Sequence, residues 1–285
     1  MDSLVSTVWL AHEMGASDLR VVDASYHLPD AGRDARAEYE AGHIPGAVFM
    51  NLAELVDPAS PFDNTLPAAD KFASRMQTLG LGDGSRIVLY DDSAIRTAAR
   101  AWYMLKRVFG AHNVAILDGG VAKWKAEGRP LESGARELRS RHFTAWSDRA
   151  RVRTKEDVLA NLRHGADNGE EQLVDARGGP RFTGEEQETR PGLASGHIPG
   201  SRNVPYKSLY EPDGTFKDKA ALRAVFEEAG VDLDRPVVTT CGSGMTACAV
   251  AFALHLIGKD DVSLYDGSWA EWGLDPETPK AMGAA

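Results

Sequence analysis

PVVTTCGSGMTACAVAFALHLIG, residues 236–258, is the stretch from which the rest of the chain is read. Val237 to Thr240 is a β-branched run that follows Pro236, the pattern of a buried strand; Met245 to Ile257 is an apolar run closed by Gly258, the pattern of a core helix. Between them Cys241 is followed by Gly242, Ser243 and Gly244. A strand–loop–helix turn of this kind offers backbone N–H groups and the positive end of a helix dipole, and both favour an anion. Two glycines let the loop curl so that successive N–H groups can face inward. Such a setting favours thiolate, the nucleophilic form of a cysteine, and the loop contains no Asp or Glu to oppose it. Taken alone, Cys241 reads equally well as a small buried hydrophobe beside a tight turn. The rest of the sequence decides between the two.

The chain of 285 residues contains an internal repeat. Val21-Val22-Asp23-Ala24 recurs as Leu173-Val174-Asp175-Ala176, and Gly42-His43-Ile44-Pro45-Gly46 as Gly196-His197-Ile198-Pro199-Gly200. Ile87 to Asp91 recurs as Val237 to Cys241, and Leu117-Asp118-Gly119-Gly120 with Trp124 as Tyr265-Asp266-Gly267-Ser268 with Trp272. Four landmarks in one order define a duplicated pair of domains, residues 1–128 and 155–285. The stretch between them, 129–154, is polar and punctuated by Gly and Pro, as a linker is.

Within each repeat short apolar strands alternate with helical patterns. Strands are expected at Leu19–Asp23, Val48–Asn51, Arg86–Tyr90 and Asn113–Leu117, with helices at Ala68–Leu79 and Ala94–Phe109. In the second repeat strands are expected at Gln172–Asp175, Arg202–Val204, Pro236–Thr240 and Val262–Tyr265, with helices at Lys217–Gly230 and Met245–Ile257. The expected fold is therefore α/β, two domains each with a parallel sheet flanked by helices on both faces. Ligands in such sheets sit at the carboxyl ends of the strands, where Cys241 lies. The residues after Trp272 read as a frayed tail.

Composition narrows the class. A net charge of −10 argues against nucleic acid or an anionic membrane as partner, but not against a small anionic substrate bound by local positive charge. Two cysteines do not make a disulfide scaffold. Seven residues along a helix rise about 10 Å, too far for Cys241 and Cys248 to bridge. A reducing, cytoplasmic setting fits, and the opening MDSLVSTVWL carries no basic leader, so no signal peptide is expected. A metal site of Cys241, Cys248 and His255 would use ligands seven apart, which is the spacing of a helix core face; no metal is expected. No G-x-G-x-x-G follows an expected strand, and no cofactor is implied. A Cys-x5-Arg phosphatase loop would need arginine where Ala247 stands.

The two copies differ at the loop. The first has DDSAIRTA from Asp91 to Ala98; the second has CGSGMTA from Cys241 to Ala247, one residue shorter. One copy carries a thiol and the other a carboxylate, which marks Cys241 as functional and the first domain as inactive. The repeat landmarks, the CGSGMTA loop and the closing DGSWAEW together resemble the two-domain rhodanese-type sulfurtransferases, and the loop resembles their 3-mercaptopyruvate branch. Members that prefer thiosulfate tend to carry basic residues in this loop; here Gly242, Ser243, Gly244, Met245 and Thr246 are all uncharged. The resemblance implies tandem rhodanese-like domains and a sulfur transfer in which the thiolate of Cys241 takes sulfur from mercaptopyruvate, holds it as a persulfide and passes it to thioredoxin, a small thiol or cyanide. The alternatives are a thiosulfate:cyanide sulfurtransferase and a non-catalytic sulfur-carrier module. A monomer is expected.

A donor with a carboxylate needs fixed positive charge, which arginine supplies bidentately. Arg181 and Arg190 match the family's two carboxylate-binding arginines; otherwise each would be a surface arginine paired with Glu185, Glu186 or Glu188. Arg177 is expected to brace the loop. Ser243 and Thr246 can donate hydroxyl hydrogen bonds to the sulfur, with Gly242, Gly244 and Met245 shaping the cradle; the structural alternatives are a turn residue for Ser243 and a helix cap for Thr246. The family often carries an Asp and a His that relay a proton with the loop serine. Ala53 and Asn64 stand at those positions and neither titrates, so the leaving enolate is expected to take its proton from water or the loop. His43 and His197 occur in both copies and read as structural.

Overall fold

The short apolar runs of both repeats become the inner strands of two five-stranded parallel sheets. These strands are seen in a computed structural model that describes residues 1–134, 138–163, 170–188 and 190–284. The first sheet holds β1 (Leu4–Val5), β2 (Leu19–Asp23), β3 (Val48–Phe49), β4 (Arg86–Tyr90) and β5 (Asn113–Leu117), ordered β1-β5-β4-β2-β3. Around it lie α1 (Thr7–Glu13), α2 (Ala35–Ala41), α3 (Ala69–Thr78), α4 (Ala98–Trp102) and α5 (Gly120–Ala126). The second sheet holds β6 (Val152–Arg153), β7 (Gln172–Asp175), β8 (Arg202–Asn203), β9 (Val237–Thr240) and β10 (Val262–Tyr265), ordered β6-β10-β9-β7-β8. Its helices are α6 (Lys155–Leu162), α7 (Gly179–Thr183), α8 (Lys219–Glu228), α9 (Ala247–Leu256) and α10 (Ser268–Trp272).

Most inner strands fall where the apolar runs place them. The edge strands β1 and β6 have two residues each, too short to leave a period-2 signal. β3 stops at Phe49 because Asn51 accepts from the N–H of Ala53 and starts a 3-10 turn, Leu52–Glu54. The helix expected from Ala94 begins only at Ala98; the loop before it bends at Arg96, whose φ is 56°. It continues past Trp102 as a π-helical stretch, Tyr103–Val108. In α9, Ala247 through Leu254 are all buried, as an apolar surface on every side requires.

The chain divides into two compact units. The first comprises Met1–Pro58, Leu66–Asp148 and Glu211–Phe216; the second comprises Ala59–Thr65, Arg149–Tyr210 and Lys217–Ala285. Each half of the sequence thus lends a short segment to the other unit. The polar stretch expected as linker runs along the first unit as far as Asp148: Glu132 pairs with His43 through two backbone bonds of 2.8 Å, and Trp146 N–H donates to Phe109 O at 3.1 Å. Residues 135–137 of that stretch lie outside the described residues. Among the described residues no helix is long and apolar enough to cross a membrane.

The segment after Trp272 is not frayed. The buried indole of Trp272 needs an acceptor, and the carbonyl of Pro279 accepts from its Nε1 at 2.8 Å. Thr278 Oγ1 donates to Trp272 O at 2.6 Å, and Ala281 and His197 exchange two backbone bonds of 2.9 Å. The first unit repeats the device: Trp124 Nε1 donates to Pro130 O at 2.8 Å.

Candidate active site

Cys241 is the first residue past β9, the central strand of its sheet, and is 2% exposed. The start of α10 straps its loop from behind. Trp269 N–H donates to Cys241 O and Ala270 N–H to Gly242 O, both at 2.9 Å. Cys241 N–H is taken up by Ser268 Oγ at 3.3 Å, and that hydroxyl donates to Tyr265 O at 2.8 Å. Ser268 is fully buried with φ 52°, a left-handed conformation rare for a serine. The loop turns at Gly244, where φ is 76° and glycine avoids the Cβ clash. The Gly244 carbonyl accepts from the thiol of Cys248 at 3.3 Å, so the second cysteine sits behind the loop. Met245 is buried. Thr246 occupies the position before α9 in helical conformation and its side chain caps nothing, so the capping alternative does not describe it.

The arginines separate by role. Arg177 is buried and its guanidinium is fully engaged: Nη2 donates to Asp175 Oδ2 at 2.7 Å and to Gly196 O at 2.8 Å, and Nη1 donates to Glu188 Oε1 at 2.8 Å. It also lies over the indole of Trp269, 4.5 Å from the ring centroid, and so braces the residue that holds the Cys241 carbonyl. The other oxygen of Glu188 accepts from Arg181 Nη2. Glu188 is only 1% exposed at its side chain, whereas Arg181 is 36% exposed. Arg181 reaches the loop itself: its Nη2 is 3.5 Å from where a Cβ on residue 242 would stand. That distance is ordinary van der Waals contact, so the guanidinium packs against the thiol's own loop.

Arg190 is exposed and pairs with Asp63 at 3.1 Å. The next residue, Asn64, donates from Nδ2 to Ser243 Oγ at 3.1 Å. Both belong to residues 59–65, the segment that the first half of the sequence lends to this unit. Arg190 makes no hydrogen bond to the loop among the described residues; the Asp63–Asn64 pair is what links it to Ser243. Of the acidic residues near position 64, Glu54 accepts from Arg75 and from Asn51, in the first unit.

Both repeated histidines are packing residues. His43 stacks on Tyr39 at 4.1 Å and His197 on Phe182 at 3.8 Å, each bonded through Nδ1 to a backbone carbonyl. Burial pushes His197 below its ordinary pKa. His255 pairs with Asp260, away from either cysteine. Sequence reading missed Glu188 as a bridge, Ser268 and Trp269 as the strap, and Asp63 as the partner of Arg190; it set Asn64 beside the loop serine only through the family resemblance. The repeated Asp-Gly landmark, Asp118-Gly119 and Asp266-Gly267, was the available signal for the strap; nothing local announces that residues 59–65 fold into the second unit.

Comparison with known proteins agrees with this geometry. The sequence model of the rhodanese-like domain matches twice, over residues 6–127 and 157–275. The chain is 43% identical over 276 residues to human 3-mercaptopyruvate sulfurtransferase, covering 95% of this chain and 91% of that one. It is 41% identical over 290 residues to thiosulfate sulfurtransferase of Cricetulus griseus, covering 99% and 96%. Among solved structures it is similar to SseA from Escherichia coli, reported for the fold and mechanism of 3-mercaptopyruvate sulfotransferases, with a TM-score of 0.84, 38% identity and 94% and 99% of the two chains covered.

Proposed function

The chain belongs to the rhodanese-like family, and from that premise we propose that it is a sulfurtransferase that takes sulfur from 3-mercaptopyruvate through a persulfide on Cys241. The observation that carries this is the single buried thiol at the mouth of the central strand, with the Arg181 guanidinium beside its uncharged loop. The Cys241 thiolate attacks the donor sulfur; the carbon–sulfur bond breaks, and the electron pair leaves on carbon as the enolate of pyruvate. In net terms the proton of the donor thiol ends on that carbon, giving pyruvate and an ionised persulfide. An acceptor thiolate then attacks the outer sulfur and releases the Cys241 thiolate, a ping-pong sequence.

In this reading residues 155–285 carry the chemistry and residues 1–128 are the inactive copy, with Asp91 where the thiol would be. Arg181 and Arg190 bind the donor carboxylate, Gly242, Gly244 and Met245 shape the cradle, and the hydroxyls of Ser243 and Thr246 face the sulfur. A loop without charge favours mercaptopyruvate over thiosulfate, a dianion that would need more cationic groups. The acceptor is thioredoxin or a small thiol, and a reducing, cytoplasmic setting fits two free thiols. The test is steady-state pyruvate release from 3-mercaptopyruvate with a thiol acceptor, beside thiosulfate with cyanide. Many turnovers with the first donor, a poor second donor and no turnover by Cys241→Ser support the reading. Full activity of Cys241→Ser refutes it, and a single equivalent of pyruvate with every thiol marks a sulfur carrier.

A further inference from the structure

Asn64 sits 8% exposed in the second unit with φ 64°, one of three non-glycine residues of the described chain in the left-handed region. Asparagine tolerates that conformation better than most side chains, so the backbone can present the amide without a large penalty. Its Nδ2 donates to Ser243 Oγ at 3.1 Å, two residues past the thiol. A hydroxyl has one proton to give and two lone pairs to accept with. When the amide donates to it, the serine accepts there, and its own proton points elsewhere.

We infer that Asn64 is a positioning residue: it holds Ser243 as an acceptor toward the lent segment, so that the serine proton stays directed into the Cys241 loop throughout sulfur transfer. This deepens the reading of that loop as the sulfur-transfer site and rests on it. An amide gains or loses no proton over the working pH range, so Ser243 keeps one orientation at every pH. A carboxylate at 64 would do the reverse, since it only accepts and would draw the serine proton away from the loop.

The experiment uses the full-length protein, 3-mercaptopyruvate and a small thiol. Asn64→Gly keeps the left-handed backbone open while deleting the amide; Asn64→Asp keeps the shape and reverses the polarity. Both are expected to lower kcat at least tenfold with KM within about twofold and little change in Tm. The loss in Asn64→Asp should shrink as pH falls and the carboxyl gains a proton it can donate. In a Ser243→Ala background, Asn64→Gly should cost nothing further. Rescue by Asn64→His is expected, with a new ionisation between pH 6 and 7 in its profile. Wild-type kcat in Asn64→Gly, or an Asn64→Asp variant as active as wild type at neutral pH, overturns the inference. It does so while Cys241→Ser stays inactive; turnover by Cys241→Ser would instead bring down the underlying reading.

Discussion

Asp91 and Cys241 stand at the same point of the two units. Each is the first residue past the central strand of its sheet, and each gives its carbonyl to the N–H of the second residue of the helix after the next strand: Val121 at 3.4 Å for Asp91, Trp269 at 2.9 Å for Cys241. Duplication kept the frame and changed the group it holds. In the first unit Ser93 and Thr97 donate their backbone N–H groups to Asp91 Oδ2 at 3.3 and 2.7 Å, so the loop that would cradle a sulfur closes on a carboxylate instead.

That carboxylate makes stability depend on pH. Burial pushes Asp91 up from 3.8 to about 6, against the opposing pull of Arg96 and the Thr97 N–H. A carboxyl that holds its proton more tightly when folded stabilises the fold below its unfolded pKa, and the benefit is lost as pH rises through the folded pKa. A rise of that size is worth about 3 kcal/mol at most. Asp91→Asn mimics the neutral form, and its stability relative to wild type should rise by up to that amount between pH 4 and pH 7. Urea denaturation of both proteins across that range checks this; a constant difference would refute it.

Glu188 joins the buried bracing arginine to the half-exposed one beside the thiol. Glu188→Ala leaves Arg177 to Asp175 and Gly196 alone, and removing one partner of a buried ion pair costs about 3 kcal/mol or more. It also releases Arg181. A lower Tm and a several-fold rise in KM for mercaptopyruvate are expected, with kcat changed less. If Tm falls and KM does not, Glu188 serves the fold alone.

The anchored tail yields a stability prediction. Gly196 has φ 103°, and a Cβ there would lie 2.2 Å from the carbonyl oxygen of Ala281. Both partners are backbone, so neither can swing aside. Gly196→Ala should cost about 2 kcal/mol or more by opening the Ala281–His197 bridge, whereas Gly258→Ala, with φ 89° but open space around it, should cost less. Thermal melts of the two variants decide the order.

The sequence made the frame legible because parallel strands buried on both faces are written as short apolar runs, and duplication wrote the inner ones twice. β2, β4, β5, β7 and β10 begin and end where those runs do. The thiol and its glycines were legible because the loop chemistry is local. Glu188 and Asp63 were not, since their roles depend on contacts that no spacing encodes, and Asn64 was set beside the loop serine only by the family resemblance. A charged residue in a Glu-rich stretch reads as surface, yet Glu188 is buried because two arginines converge on it. The tail after Trp272 reads as polar and loose, but the indole N–H of Trp272, seven positions before Pro279, required that carbonyl.

Asp63 and Arg190 carry the last prediction. The pair is exposed, with Arg190 46% and Asp63 71% accessible, and such pairs are worth about 0–1 kcal/mol. If Arg190 binds the donor carboxylate as proposed, that carboxylate must compete with Asp63 for the guanidinium, and so weak a pair yields readily. Asp63→Asn removes the competitor and is expected to lower KM for mercaptopyruvate by about twofold to fivefold at low ionic strength, within the same energy range. Salt weakens the pair in wild type as well, so the advantage should fade toward about 0.5 M salt. Raised KM in the variant would mean that Asp63 holds Arg190 in place for the substrate rather than shielding it. Measuring KM at two salt concentrations for both proteins distinguishes the two.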